Sequence, residues 1–197
     1  MPFDFFDELI FENARVLIRP LKENDSELVE SFTKSEPDLW QFSLTSPVGE
    51  DSLKAYISNT LKLRTSAQGY PFLVIDKKSK SVAGSTRFYN VDLHHKTLSI
   101  GYTWYGKAFQ RTGLNRHCKL LLLSAAFEDF GMERVEFRAD ARNKKSINAM
   151  LGIGCVFEGT LRNNCSASFG RRDSVVLSII KTDWEKATKA ALLKKIV

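Results

Sequence analysis

The segment Gln110-Arg111-Thr112-Gly113-Leu114-Asn115 lies between a strand-like run at residues 97–105 and an apolar run at residues 114–127. That order, strand then glycine turn then helix, constrains the fold more than any other stretch of the chain. A glycine at the mouth of a helix lets the backbone come close to a ligand, and the first amides of a helix lack intrahelical partners. Together with the helix dipole they attract an anion. Lys107, Arg111 and Arg116 add positive charge around the turn. The turn reads either as a phosphate cradle or as a plain helix start with solvated cations, and what separates the two is the sequence that follows.

Gly131 is a helix stop, and residues 133–140 alternate so that Val135, Phe137 and Ala139 share one face of a strand. A second helix begins near Asn143, and residues 155–162 form the next strand. Upstream, residues 16–18 read as an opening strand. Asn24-Asp25 ahead of Glu27-Leu28-Val29 has capping character, which predicts a helix running to Lys34. Another helix fits residues 50–65, with Leu53, Ile57, Thr60 and Leu61 on one side. Residues 70–76 and 82–89 are strands joined by the polar turn 77–80, residues 90–96 form a hairpin tip carrying His94 and His95, and residues 174–181 supply the last strand. The expected fold is α/β (α+β), a mixed and mostly antiparallel central sheet flanked by helices, with no internal repeat.

A chain of 197 residues suits one core. The expected organisation is an extension at 1–13, a single domain at 14–184 and a helical tail at 185–197. With 43% hydrophobic and 26% charged residues, the composition excludes disordered and fibrous classes. The longest apolar stretch, 120–127, is broken by Ser124 and falls far below the ~20 residues that cross a bilayer. The acidic start Met1-Pro2-Phe3-Asp4 has no secretory pattern, so a cytoplasmic protein without a membrane partner is expected. Cys118, Cys155 and Cys165 are odd in number and unpaired in spacing, which predicts neither a disulfide framework nor a metal site. His94, His95 and His117 also lack metal-ligand spacing. Cys118 falls at helical spacing with Leu114, Leu121 and Leu122 and reads as packing.

The net charge of +6 is spread along the chain, and the lysines of 186–195 interleave with Ala and Leu as in an amphipathic helix. No RNA-recognition motif accompanies them, so nucleic acid is not an expected partner. Phe3, Phe5, Phe6, Leu9, Ile10 and Phe11 would be costly to leave in water. They are expected to pack on the domain or on another chain, as in a homodimer.

Taken together these segments resemble a family. Gln110–Asn115 is similar to the Gln/Arg-x-x-Gly-x-Gly/Ala pyrophosphate loop of GNAT acetyltransferases, departing from it at Asn115, where a small residue is usual. Asp140 through Ser146, Ala149-Met150-Leu151-Gly152 and Phe157-Glu158-Gly159-Thr160-Leu161-Arg162 resemble the Asn-x-x-Ser helix start, Leu-Gly helix end and Glu-Gly-x-Leu-Arg strand of the Rim-type branch, whose members acetylate ribosomal-protein N-termini. Arg172-Asp173 ahead of the apolar 175–180, and an Arg-x-x-Leu-Arg-Pro-like opening at 14–20, extend the resemblance over residues 14–184 in order.

The resemblance implies a GNAT acyl-CoA N-acyltransferase fold and acetyl-CoA as co-substrate. It also implies direct transfer of the acetyl group, in a ternary complex, to a primary amine of a protein N-terminus or a small molecule. It places acetyl-CoA against Thr103, Trp104, Tyr105, Gln110, Arg111, Thr112, Gly113, Leu114, Asn115, Asn143 and Ser146. Ser146 is the candidate acid for the departing thiolate, or else a polar helix residue; Asn143 is a pantetheine contact, a helix cap, or both. Where the ribosomal-protein enzymes carry a glutamate after the Glu-Gly-x-Leu-Arg strand, this chain has Cys165. The base is therefore unassigned, and a non-catalytic acyl-CoA-binding regulatory module is the alternative. Arg172 and Asp173 are expected to form an ion pair or a substrate-side anchor. Acceptor selection is expected in residues 31–65 and in a loop at 163–172, with Trp40, Phe42 and Phe169 lining the cleft or filling core.

Overall fold

A computed structural model describes residues 3–167 and 170–196. Eight strands form one sheet in the order β1-β2-β3-β4-β5-β6-β8-β7. They are β1 (Phe11–Glu12), β2 (Val16–Pro20), β3 (Gly69–Asp76), β4 (Ser81–Asp92), β5 (Thr97–Tyr105), β6 (Arg134–Asp140), β7 (Val156–Ala167) and β8 (Gly170–Ile180). All neighbouring pairs are antiparallel except β5 and β6. That parallel pair requires a crossover, which α3 (Leu114–Ser124) and the π turn Ala125–Asp129 supply. Gly131, at φ +66°, ends this helical run.

The helices divide between two faces. α1 (Ser26–Ser35) and α2 (Glu50–Thr65) cover one, where Val29, Leu53, Tyr56 and Ile57 pack with Leu73 and Trp104. α3 and α4 (Lys144–Gly152) cover the other, joined by the C-terminal helical run Lys181–Asp183, Trp184–Thr188 and Lys189–Leu193. Leu114, Cys118 and Leu122 of α3 meet Val135, Phe137 and Ala139 of β6 in the larger core. The alternation read from the sequence therefore lies against a helix.

The N-terminal segment packs on its own domain. Phe3 is buried and meets Phe5, Tyr70, Phe88 and Phe130 edge to face, while the Leu9 amide donates to Tyr70 Oη at 2.9 Å.

Two expectations are corrected. Residues 163–172 are not a loop, because β7 runs to Ala167 and pairs with β8 through Cys165↔Arg172 and Ser166↔Arg171. Asn163, at φ +55°, sits in a register shift between Leu161 and Cys165, which interrupts the alternation without ending the hairpin. Arg172 and Asp173 do not pair with each other, since successive strand residues point to opposite faces. Arg172 is buried, and Asp173 Oδ1 accepts from the Asn163 amide at 2.7 Å.

Candidate active site

β5 and β6 pair only through Thr97↔Arg134, Leu98↔Val135 and Ser99↔Glu136. Beyond that point β5 stays with β4 as far as Tyr105, and β6 stays with β8 as far as Asp140. The two parallel strands thus part at their carboxyl ends. Both continue into helices at that same end, β5 into α3 and β6 into α4, so two helix N-termini stand at the mouth of the opening. Crevices outside the carboxyl ends of parallel strands are preferred ligand sites, and helix N-termini add partial positive charge there.

The turn into α3 is built for close approach. Gly113 adopts φ +87°, and a Cβ built on it would meet nothing within 4 Å. Arg111 is also left-handed, at φ +61°. Thr112 Oγ1 donates to the Phe109 carbonyl at 2.7 Å and Gln110 Nε2 to the Tyr105 carbonyl at 2.8 Å, which fixes the loop to the end of β5. Leu114 is fully buried and anchors the helix, and its amide donates to Thr112 Oγ1 at 3.4 Å. Asn115 is half-buried in the first turn. Of the three surrounding cations, Arg116 turns away to donate to the Lys195 carbonyl at 3.2 Å.

At the other helix, Asn143 Oδ1 accepts from the Ser146 amide at 3.0 Å, a side-chain N-cap. Asp140 holds the preceding turn: its carboxylate accepts from the Arg142 amide and guanidinium, which keeps its pKa below the usual carboxylate value. Ser146 lies half-buried on the first turn, and its hydroxyl has no partner among the described residues.

A bulge in β5 decides what faces the opening. Arg87 pairs with Gly101 and Ser85 with Trp104, so Tyr102 and Thr103 together oppose Thr86. Tyr102 takes φ +51° there. The extra residue reverses the alternation: Leu98 and Ile100 face α3, and so do Thr103 and Tyr105, while the Trp104 side chain packs on the opposite face against Phe32 and Trp40. Trp104 presents only main chain to the cleft, and Trp40 is core. Phe42 is half-buried, and Phe169 lies outside the described residues.

Sequence reading missed Lys119. It belongs to α3, is 4% exposed, and has no carboxylate partner among the described residues. Its ammonium donates to Thr103 Oγ1 at 3.0 Å and Thr86 Oγ1 at 3.5 Å, and the two hydroxyls lie 2.8 Å apart. Burial draws its pKa down to about 8. Position Lys119 follows Cys118 on the inner side of α3, and a charged residue inside an apolar helix stripe was the available signal. Nearby, burial pushes the thiols of Cys118 and Cys155 up to about 11 and about 12, and the enclosed Tyr105 hydroxyl well above its ordinary value.

The carboxylates near the end of the sheet are occupied. Glu158 binds Arg134 through both oxygens and accepts from Ser178 Oγ at 2.6 Å, which pulls its pKa down to about 2. Among the described residues no His, Cys, Asp and Glu form a metal-ligand group, and no helix is long and apolar enough to cross a membrane.

This geometry agrees with comparisons to known proteins. Residues 15–156 match the family model described as an acetyltransferase (GNAT) domain. A Bacillus subtilis (strain 168) protein named "Putative ribosomal N-acetyltransferase YdaF" is 28% identical over 178 residues, covering 88% of this chain and 95% of that protein. The structure of a GCN5-related N-acetyltransferase from Brucella melitensis superposes with a TM-score of 0.89 at 22% identity, over 100% of this chain and 89% of that one. The ribosomal-protein-S5-alanine acetyltransferase of Vibrio fischeri gives a TM-score of 0.72 at 19% identity, over 90% and 99%.

Proposed function

Because this chain belongs to the GNAT acetyltransferase family, on its Rim-like branch, and is an N-acetyltransferase, we propose that it moves the acetyl group of acetyl-CoA directly onto a primary amine. The acceptor is a small-molecule amine or a protein N-terminus. The observation that carries this reading is the parting of β5 from β6 beyond Ser99 and Glu136, with the α3 and α4 N-termini at its mouth.

The residues present suit acetyl-CoA. Gly113 leaves open space where a pyrophosphate must approach, and the Asn115 amide in the first turn of α3 stands ready beside it. Gln110, Arg111 and Thr112 shape that loop, and Asn143 and Ser146 border the second helix start. The main chain of Thr103, Trp104 and Tyr105, free of a β6 partner, holds the extended arm in the manner of an added strand. When bound, acetyl-CoA supplies an activated thioester.

Thr103 is exposed to the opening and receives a hydrogen bond from the buried Lys119 ammonium. That bond polarises its hydroxyl as a donor toward negative charge developing on an oxygen. Burial raises the thiols of Cys118 and Cys155, which disfavours either as a thiolate nucleophile and supports direct transfer. Ser146, with an unengaged hydroxyl beside the α4 start, gives a proton to the leaving sulfur. Both oxygens of Glu158 are engaged by Arg134 and Ser178, and a carboxylate drawn down to about 2 is too weak a base for an ammonium, so the acceptor loses its proton to water in the open cleft.

Calorimetric titration with acetyl-CoA, followed by a panel of amines and N-terminal peptides with free thiol monitored, tests the proposal. Saturable binding with amine-dependent thiol release is expected. Binding without release by any amine would overturn the transfer, and no binding would overturn the loop assignment.

A further inference from the structure

Arg87 of β4 is a second buried cation, 6% exposed, and it lies on the face opposite Lys119. Its guanidinium donates to Thr60 Oγ1 at 3.2 Å and sits 4.0 Å over the Tyr102 ring, which meets Tyr89 edge-on at 5.2 Å. The Tyr56 hydroxyl is its other polar neighbour. Among the described residues no carboxylate lies within ion-pair distance of it. A guanidinium carries five donors, and buried charges are ordinarily paired with an opposite one.

The missing anion has somewhere to sit. Arg87, Tyr89 and Tyr102 line an open cavity of about 360 Å³, completed by Leu63, Gln68 and Asn90. Beyond the Thr60 bond and the Tyr56 hydroxyl, no nitrogen of Arg87 is sealed from solvent without a partner, and Arg87 itself lines that space. Stacking alone would explain Arg87 as a clamp on Tyr102, but a clamp needs no cavity beside it. The volume is at the small end of ligand pockets, which fits an amino-acid-sized molecule rather than a long chain.

Its place ties it to the reaction. Thr86, the neighbour of Arg87, faces the other side of the sheet and touches Thr103 at 2.8 Å. One bulge therefore separates the cavity from the donor at the β5–β6 opening. An acid held by Arg87 would leave an amine of the same small molecule beside that bulge.

We propose that the Arg87 cavity binds the carboxylate of the acceptor, so that the enzyme selects small amines carrying an acid group, of amino-acid size. This rests on the amine-transfer reading above. Arginine's planar fork matches a carboxylate at two points, which lysine's ammonium does not.

The test compares thiol release from acetyl-CoA with amino acids and with their primary amides, in the unaltered chain and in Arg87→Lys and Arg87→Met. The acids should be preferred by at least about tenfold in kcat/KM, carried mainly by KM, and Arg87→Met should bring the ratio near one while calorimetry shows unchanged acetyl-CoA affinity. Arg87→Lys should retain part of the preference. Amides used as well as acids, or a preference that survives in Arg87→Met, would overturn the assignment. If no amine is acetylated, the transfer reading fails, and the cavity is judged separately by following the Arg87 Nε–Hε resonance during titration with glutarate. A saturable shift supports a carboxylate site, and its absence removes it.

Discussion

Lys119 Nζ lies 3.0 Å from Thr103 Oγ1, a fully enclosed ammonium meeting an exposed hydroxyl across the floor of the β5–β6 opening. The arrangement costs stability, because the folded chain holds the charged form less well than water does, and its pKa falls from 10.5 to about 8. Between those values the unfolded chain keeps a proton that the folded chain has lost, so stability rises with pH through that window and is lowest below it. Lys119→Met should raise the melting temperature at pH 7 by several degrees, at ~2–4 °C per kcal/mol for a chain of this size, and flatten the rise between pH 8 and 10.5. It should also lower kcat by roughly tenfold or more, as loss of a polarised donor does. Melting curves across pH beside steady-state rates check both, and a variant that melts lower would show the buried charge to be stabilising.

Gly113→Ala tests the cradle. The new methyl group meets no protein atom, so the fold changes only by the left-handed strain at φ +87°, on the order of 1–2 kcal/mol. Acetyl-CoA affinity should fall by roughly tenfold or more, because the methyl fills the space a phosphate needs. A folded variant with undiminished affinity in calorimetry would detach this turn from phosphate binding.

Ser146→Ala leaves the Asn143 cap in place, since the cap uses the Ser146 amide rather than its hydroxyl. Little loss of stability is therefore expected. If the hydroxyl protonates the departing sulfur, kcat drops by about 10²-fold while the acetyl-CoA dissociation constant barely moves. Equal losses in both quantities would make Ser146 a binding residue.

Glu158→Gln separates structure from chemistry. Arg134 and Ser178 hold the Glu158 carboxylate at about 2, so whatever stability it adds is present above about 4.5 and is lost as pH falls toward 2. The pair is partly exposed, and the substitution should cost about 1 kcal/mol or less at pH 7. The pH profile of kcat near neutrality should not change. A profile that loses its basic dependence in this variant would assign Glu158 the role of base.

The sequence made some of this structure legible and hid the rest for physical reasons. α2 matches residues 50–65 because its apolar positions repeat at helical spacing, and β5 matches residues 97–105 because a charged turn and a hairpin tip bound it. The bulge at Tyr102 and Thr103 was not readable, since it depends on register with β4, a partner distant in sequence. The end of the β7–β8 hairpin, residues 163–172, looked like a loop because polar residues line an edge strand whose side chains are mostly exposed. Lys119 and Arg87 were overlooked because Lys and Arg ordinarily sit at the surface, and only the packed neighbours reveal that these two do not.

The doubled position in β5 also gives that strand a phase, much as a reading frame has one. Were the same residues paired without the bulge, even alternation from Leu98 and Ile100 would turn Thr103 and Tyr105 away from α3 and press the Trp104 indole into the core that Cys118 and Leu122 fill; loss of Tyr102 would instead remove the bulge and leave Thr103, Trp104 and Tyr105 facing as they do. What the segment must keep is therefore the pairing of Gly101 with Arg87 and of Trp104 with Ser85, not the number of residues between them. An indel scan should find that loss of Tyr102 leaves the facings of Thr103 and Trp104 in place, whereas straightening the full-length segment would exchange them.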